Sequence, residues 1–96
     1  MEEKFGMASF RSRQQVMNFE RDLRRSGVKT SIITTPRAVS LGCGLSVRFE
    51  LRDQQAVKAV FQTTQPGNLI GFYQVERDRA GQMNVRPLGI QVHYTG

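Results

Sequence analysis

The chain has 96 residues, of which 39% are hydrophobic and 8% aromatic, and carries a formal net charge of +6 with a sequence pI near 10.5. This length suits a single domain over residues 1–96, and no apolar run reaches the roughly 18 residues of a membrane-spanning helix, which excludes that class of membrane protein. The lone cysteine, Cys43, excludes an internal disulfide, and the scattered histidine and acidic residues predict no metal site.

The charge and the N-terminus indicate a compartment and a class of partner. Residues 1–4 lack the charged-then-apolar pattern of a secretory signal, and a single thiol suits a reducing environment, so we expect a cytoplasmic protein. The positive charge favours an anionic partner, such as nucleic acid, an acidic protein or a charged metabolite. Charge alone does not choose among these three.

The first two predicted elements are a strand and a helix. Apolar residues alternate over residues 4–10, which predicts a strand, and Ser12 and Gln15 then have the spacing of a helix capping box. The apolar face of the helix repeats at i, i+3 and i+7, with Val16, Phe19 and Leu23. Gly27 supplies the end of this helix.

Two more strands flank a loop. Residues 28–35 are rich in β-branched side chains and end at Pro36, which predicts a second strand. Residues 45–51 alternate strictly, so that one face of a third strand carries Leu45, Val47, Phe49 and Leu51. The loop between these strands contains Cys43.

The second half of the chain predicts one helix and further strands. Asp53 is placed as the N-cap of a helix that runs to about Gln62. A strand over residues 69–75, a turn at residues 78–81 and a returning strand through Met83 and Val85 follow. A last alternation comprises Ile90, Val92 and Tyr94. The resulting order, β-α-β-β-α-β, predicts an α+β ferredoxin-like sandwich with one or two extra C-terminal strands.

Glycines on both sides of Cys43 remove side-chain bulk, so the thiol can approach a reactive atom of another molecule closely. Arg37 and Arg48 are the nearest cations in sequence, and cations of this kind stabilise a thiolate. The alternative interpretation is structural, because free cysteines are among the most buried residues and behave as small hydrophobic side chains.

The run from Thr35 to Phe49 resembles the signature of the putative selenium/sulfur carrier protein-like family. Its pattern is matched at Pro36, Arg37, Ser40, Cys43, Gly44 and Phe49, whereas Thr34 replaces the first proline. Phe10-Arg11-Ser12 and the helix end from Leu23 to Gly27 resemble the family as well. The resemblance covers about residues 4–75, and residues 76–96 form a C-terminal extension beyond the usual family length.

The resemblance implies a small cytoplasmic protein that carries sulfur or selenium on Cys43, as a persulfide or selenosulfide, between a protein donor and a protein acceptor. Arg37 would stabilise the thiolate or position an anionic partner, and Ser40 would hydrogen-bond the sulfur or cap a turn. The loop would be shaped by Pro36, Gly42 and Gly44. No cofactor is implied, and neither sulfur nor selenium is favoured.

Two alternatives from other classes stand beside this interpretation. A basic ferredoxin-like domain also suits RNA, with Phe5, Phe10 and Phe49 as candidate stacking residues, although Phe49 shares its strand face with core residues. An assembly domain, such as a homodimer, is the third class. A classical enzyme is poorly supported, because the only histidine, His93, falls on the polar side of a terminal strand and no nucleotide-binding motif is present.

Overall fold

The computed structural model describes residues 3–39, 41–90 and 92. The chain forms five strands, two α-helices and one 3-10 turn in this order: β1 (Glu3–Phe10), α1 (Arg13–Arg25), β2 (Thr30–Thr34), β3 (Leu45–Phe49), the 3-10 turn (Leu51–Asp53), α2 (Gln54–Thr64), β4 (Leu69–Arg77) and β5 (Met83–Pro87). The strands make one antiparallel sheet in the order β2-β3-β1-β4-β5. The predicted α+β class is therefore confirmed.

Helix α1 begins and packs as its sequence predicts. Ser12 occupies the N-cap, and its hydroxyl accepts a hydrogen bond from the backbone N–H of Gln15 at 3.4 Å. The three residues of the predicted apolar face, Val16, Phe19 and Leu23, are fully buried. The helix is followed by Gly27, whose φ of +85° is a left-handed conformation that glycine adopts without strain.

Several predicted boundaries change. β2 covers Thr30–Thr34 and not residues 28–35, and β4 continues beyond residue 75 to Arg77. β3 ends at Phe49, and Leu51 begins the 3-10 turn, so its placement on the strand face was wrong. α2 continues two residues beyond Gln62, to Thr64, and Asp53 precedes it without a side-chain capping hydrogen bond to the described backbone. Of the last predicted strand, Ile90 and Val92 belong to no strand, and residues 91 and 93–96 lie outside the described residues.

Both helices pack on the same face of the sheet through a row of aromatic rings. Phe10 of β1, Phe19 of α1, Phe61 of α2 and Phe72 of β4 contact one another in succession, edge to face, with centroid separations of 5.5, 5.8 and 5.6 Å. Such pairs contribute about 0.5–1.5 kcal/mol each beyond their buried area. This row joins the central strand to both helices and to β4.

The other face of the sheet carries a smaller apolar cluster of Phe5, Met7 and Val75. Arg48 covers part of it, because its guanidinium lies 4.0 Å from the centroid of the Phe5 ring. Val39, from the loop between β2 and β3, packs against the same cluster. That loop therefore reaches onto the face that the helices leave open.

The C-terminal extension contributes a strand to the sheet. β5 pairs with β4 over five residue pairs, from Tyr73↔Pro87 to Arg77↔Met83. β4 in turn pairs with β1 from Glu3↔Arg77 to Phe10↔Leu69. β5 thus covers the edge that β4 would otherwise expose.

Glu20 connects α1 to β2. Its carboxylate accepts hydrogen bonds from the Thr30 hydroxyl at 2.8 Å and from Arg24 at 3.2 Å. Burial opposes ionisation of Glu20, but the hydrogen bonds from Arg24 and Thr30 and the charge of Arg24 outweigh it, so the pKa of Glu20 lies below its ordinary value. The stability from this contact is present above the ordinary carboxyl pKa and is lost as the pH falls through the lowered value.

Candidate functional site: the loop that carries Cys43

The loop between β2 and β3 is closed by backbone hydrogen bonds. The N–H of Thr35 donates to the carbonyl of Gly44 at 2.9 Å, which joins the two ends of the loop. From the loop, the N–H of Cys43 donates to the carbonyl of Phe10 in β1 at 3.3 Å. Because Phe10 is the last residue of the central strand β1, Cys43 lies at the end of the sheet where β1 finishes.

The two glycines that flank Cys43 both have positive φ. Gly42 has a φ of +107° and Gly44 a φ of +89°. A Cβ on Gly42 would lie 2.8 Å from the carbonyl oxygen of Phe10 and 2.7 Å from Cδ1 of Ile70, whereas a Cβ on Gly44 would meet nothing within 4 Å. The backbone conformation alone favours glycine at Gly44, and both conformation and space favour it at Gly42.

Cys43 is a partly buried residue. Its side chain packs against the main core cluster, and the S–H donates to the carbonyl of Leu45 at 3.6 Å between the heavy atoms. The core therefore does not enclose this cysteine as it encloses the fully buried Phe10 beside it. Part of the residue surface remains open to solvent and to another molecule.

The predicted supporting residues are distributed along the loop. Pro36 begins a turn in which the N–H of Val39 donates to its carbonyl at 3.0 Å, and Arg37 occupies the second position of that turn. Arg37 is exposed, and no described residue forms an ion pair or a hydrogen bond with its guanidinium, so no such contact joins it to the thiol. Ser40 lies outside the described residues.

Arg48, the other cation near Cys43 in sequence, is engaged elsewhere. It hydrogen-bonds Glu3 at 3.2 Å and covers the Phe5 ring. Its partner across the strands is Met7, so it lies on the sheet face away from the helices. Sequence proximity to Cys43 was therefore misleading for this residue.

A chain of three hydroxyl groups beneath the loop was not predicted from sequence. The hydroxyls of Thr35 and Ser46 lie 2.7 Å apart, and those of Ser46 and Ser9 lie 2.8 Å apart. Ser9 and Ser46 are buried and face each other across β1 and β3. The only sequence signal is a serine at a buried position of each strand, Ser9 in β1 and Ser46 in β3. The sequence does not show that these two serines are paired.

We expect Ser46→Ala to lower the free energy of unfolding by about 2 kcal/mol, because it removes both hydrogen bonds and leaves the buried Ser9 hydroxyl without a partner. Urea unfolding measures this change. The double variant Ser9→Ala/Ser46→Ala is the control, and it should cost less than the sum of the single variants. Strict additivity would contradict a coupled chain.

The two described cavities lie away from the thiol. The larger, of about 480 Å³, lies between the end of α1 and the α2 helix, and its lining includes Asp22, Arg25 and Val60. The smaller, of about 150 Å³, lies beside Lys29 and Arg48. Neither of these two cavities is lined by Cys43.

The residues proposed for RNA stacking are not accessible. Phe5, Phe10 and Phe49 are 3%, 0% and 1% exposed. A base can stack only on a ring whose face is open, so these three rings do not form an RNA platform. His93 lies outside the described residues, so its relation to Cys43 stays untested.

One known family matches the region that contains the Cys43 loop. A family model described as putative Se/S carrier protein-like matches residues 5–69, from β1 to the first residue of β4, and includes the whole Cys43 loop. No curated protein and no solved structure matches the chain. None of the described helices is long and apolar enough to cross a membrane. No group of histidine, cysteine or acidic residues suited to a metal ion occurs in the described ranges.

Proposed function

The chain belongs to the putative Se/S carrier protein-like family, and we propose that it carries a single sulfur or selenium atom on Cys43, as a persulfide or selenosulfide. The observation that carries this proposal is the position of Cys43, a residue that is only partly buried, on a loop between two glycines of positive φ. A carrier needs a thiol that partners can reach and a backbone that leaves room for them, and the partial exposure of Cys43 between two glycines supports this role. A reducing compartment such as the cytoplasm would keep the thiol available.

The proposed loading step is a thiol–persulfide exchange. The Cys43 thiolate attacks the terminal sulfur of a donor persulfide, so that an Sγ–S bond forms while the donor's S–S bond breaks. The donor sulfur leaves as a thiolate with the electron pair of that bond, and the Cys43 proton passes to solvent. Unloading is the same exchange, with an acceptor thiolate attacking the carried atom and Cys43 leaving, so neither step needs an external oxidant.

The other predicted residues take supporting roles in this proposal. Gly42 and Gly44 hold the backbone conformation of the loop and put no side chain directly beside Cys43 in the sequence, and Pro36 fixes the turn at the start of the loop. Arg37 places a positive charge on the same loop, where it attracts an anionic donor or stabilises the thiolate. Ser40 would hydrogen-bond the sulfur or cap a local turn.

The strand order also bears on classification. The first four strands, in the order β2-β3-β1-β4, with both helices on one face, support the ferredoxin-like sandwich that the sequence predicts. We propose that β5 is the addition to this arrangement. In that case the Cys43 loop is the connection between the second and third strands, in chain order, of the β-α-β-β-α-β arrangement.

The test is intact mass spectrometry of the native protein after incubation with cysteine persulfide, with Cys43→Ser as the control. The wild type should gain one sulfur atom, which a reducing thiol then removes, and the variant should gain none. If the native wild type stays unmodified while the urea-unfolded chain reacts, Cys43 is a core residue and the carrier proposal fails.

Arg37→Ala is expected to slow alkylation of Cys43 about two- to threefold at low ionic strength, because an exposed cation contributes only a few tenths of a kcal/mol to a neighbouring anion. Iodoacetamide kinetics at neutral pH measure the rate. Arg79→Ala, in the turn between β4 and β5, removes the same charge from an exposed position and should leave the rate unchanged. Equal rates in the two variants would remove Arg37 from the mechanism.

A further inference from the structure

Charge is distributed unevenly along the strands. The thiol end of the molecule comprises the last residues of β1 and β2, the first residues of β3 and β4, and the loop with Cys43. All seven acidic residues in the described ranges lie toward the opposite end or on the second half of α1: Glu3, Glu20, Asp22, Glu50, Asp53, Glu76 and Asp78. The thiol end therefore has no acidic side chain among the residues described there.

Three arginines lie at the thiol end. Arg11 directly follows β1 and its N–H donates to the Asn68 carbonyl at 2.8 Å, Arg13 is the first residue of α1, and Arg37 lies on the Cys43 loop. All three are exposed, and none forms an ion pair with a described residue. No acidic side chain in the described ranges therefore compensates their charge, and the three guanidinium groups are available to a partner.

Most cations elsewhere in the described ranges form ion pairs, unlike the three arginines at the thiol end. Each ion pair in the described part of the chain joins a lysine or arginine to an acid outside the thiol end, for example Lys4 to Glu76 at 3.7 Å and Arg52 to Glu50 at 2.7 Å. Arg25, Lys58, Arg77 and Arg79 elsewhere also form no ion pair with a described residue, but the thiol end is the part where three arginines occur without any described acid. A field of this kind raises the encounter rate with anionic surfaces and repels basic ones, including a second copy of the same end.

An apolar side chain accompanies the arginines. Leu41, two residues before Cys43, is 56% exposed, the highest value among the large hydrophobic side chains in the described ranges. An exposed leucine on the same loop as Arg37 suits a protein interface, where a pocket removes it from water, and gives no advantage on a nucleic acid backbone. The buried state of Phe5, Phe10 and Phe49 points the same way.

We propose that the thiol end docks an acidic segment of a protein, and that this protein is the donor or the acceptor of the atom carried on Cys43. Arg11, Arg13 and Arg37 pair with carboxylates of that segment, and Leu41 enters an apolar pocket beside them. The inference rests on the proposed carrier function, because docking at this end has a chemical purpose only if Cys43 exchanges an atom.

The experiment compares donors of different charge. Two synthetic peptides, each persulfidated at a single cysteine, carry either glutamates or glutamines at the same flanking positions, and cysteine persulfide serves as a small donor without flanking charge. At low ionic strength the glutamate peptide should load Cys43 about tenfold faster than the glutamine peptide, since complementary charge acts mainly on encounter. At a salt concentration of roughly 0.5 M, the ratio of the loading rates of the two peptides should approach one.

Variants locate the effect. Arg11→Gln/Arg13→Gln should reduce the rate ratio of the two peptides about threefold, because it removes two of the three uncompensated charges at the thiol end. Arg77→Gln/Arg79→Gln removes the same charge from the opposite end of the sheet and should keep the ratio near its wild-type value.

The outcomes separate the two proposals. If cysteine persulfide loads Cys43 but the peptide ratio is one, or if both double variants lower the ratio equally, docking at the thiol end is overturned and the carrier function stands. If none of the donors loads the native protein, the carrier function falls. If single-stranded oligouridine blocks loading from the glutamate peptide at an equal concentration of negative charge, the basic end is a nucleic-acid surface and not a protein dock.

Discussion

Gly42→Ala is expected to lower the free energy of unfolding by about 3 to 4 kcal/mol, from backbone strain together with steric overlap. The φ of +107° is unfavourable for a residue with a side chain, and the new Cβ would lie 2.8 Å from the Phe10 carbonyl oxygen, an atom of the central strand that cannot move freely. The loop would have to shift, and the hydrogen bond from the Cys43 N–H to that same carbonyl would lengthen. Urea unfolding measures the stability, and the rate of thiol alkylation reports the change in the loop around Cys43.

Gly44→Ala is the matched control for this prediction. Gly44 also has a positive φ, at +89°, but a Cβ there would meet nothing within 4 Å. We expect this variant to lose only about 1 kcal/mol, from the left-handed conformation alone. Equal losses in the two variants would mean that contact with Phe10 and Ile70 does not constrain the loop at Gly42.

Gly6→Ala is expected to cost about 3 kcal/mol through overpacking of the core. Gly6 lies opposite Phe49 in the β1–β3 pair, and a Cβ would lie 2.3 Å from the nearest atom of the Phe49 ring. Phe49 is 1% exposed, so its ring has no solvent-filled space into which it can turn. The expected loss should appear as a lower urea midpoint with an unchanged slope.

Gly71→Ala in β4 serves as the comparison. Its Cβ would lie 3.2 Å or more from Tyr73, whose half-buried side chain can give way. We expect a change of less than about 1 kcal/mol, because small displacements of a partly exposed ring cost little. A loss at Gly71 as large as the loss at Gly6 would contradict the assignment of the effect to the Phe49 ring.

Periodicity predicted the elements but not all of their ends. α1 was predicted well because its cap at Ser12, its three buried apolar residues and its terminal glycine are local signals that agree. Leu51 was assigned to β3 because it continues the alternation, whereas the chain turns there to begin α2. Alternation records which residues are apolar and not where the backbone leaves the sheet.

The candidate site was predictable only in part. Sequence and family resemblance identified Cys43, and local composition identified its glycines. The partial burial of Cys43, the engagement of Arg48 with Glu3 and the hydroxyl chain through Ser46 depend on pairings between strands distant in sequence. The charge separation along the sheet follows from the same antiparallel order, which brings Arg11 and Arg37 to one end and Glu50 and Glu76 to the other.

The most direct test of the carrier account follows one labelled atom through the native protein. Wild-type protein is loaded from persulfide labelled with radioactive sulfur, separated from the donor and then exposed to an acceptor thiol, with Cys43→Ser treated in parallel. We expect the label to stay with the wild type after separation and to leave with the acceptor, which restores an alkylatable Cys43. Label that fails to bind the folded wild type, binds the variant equally, or stays on the wild type until the protein unfolds would contradict the carrier account.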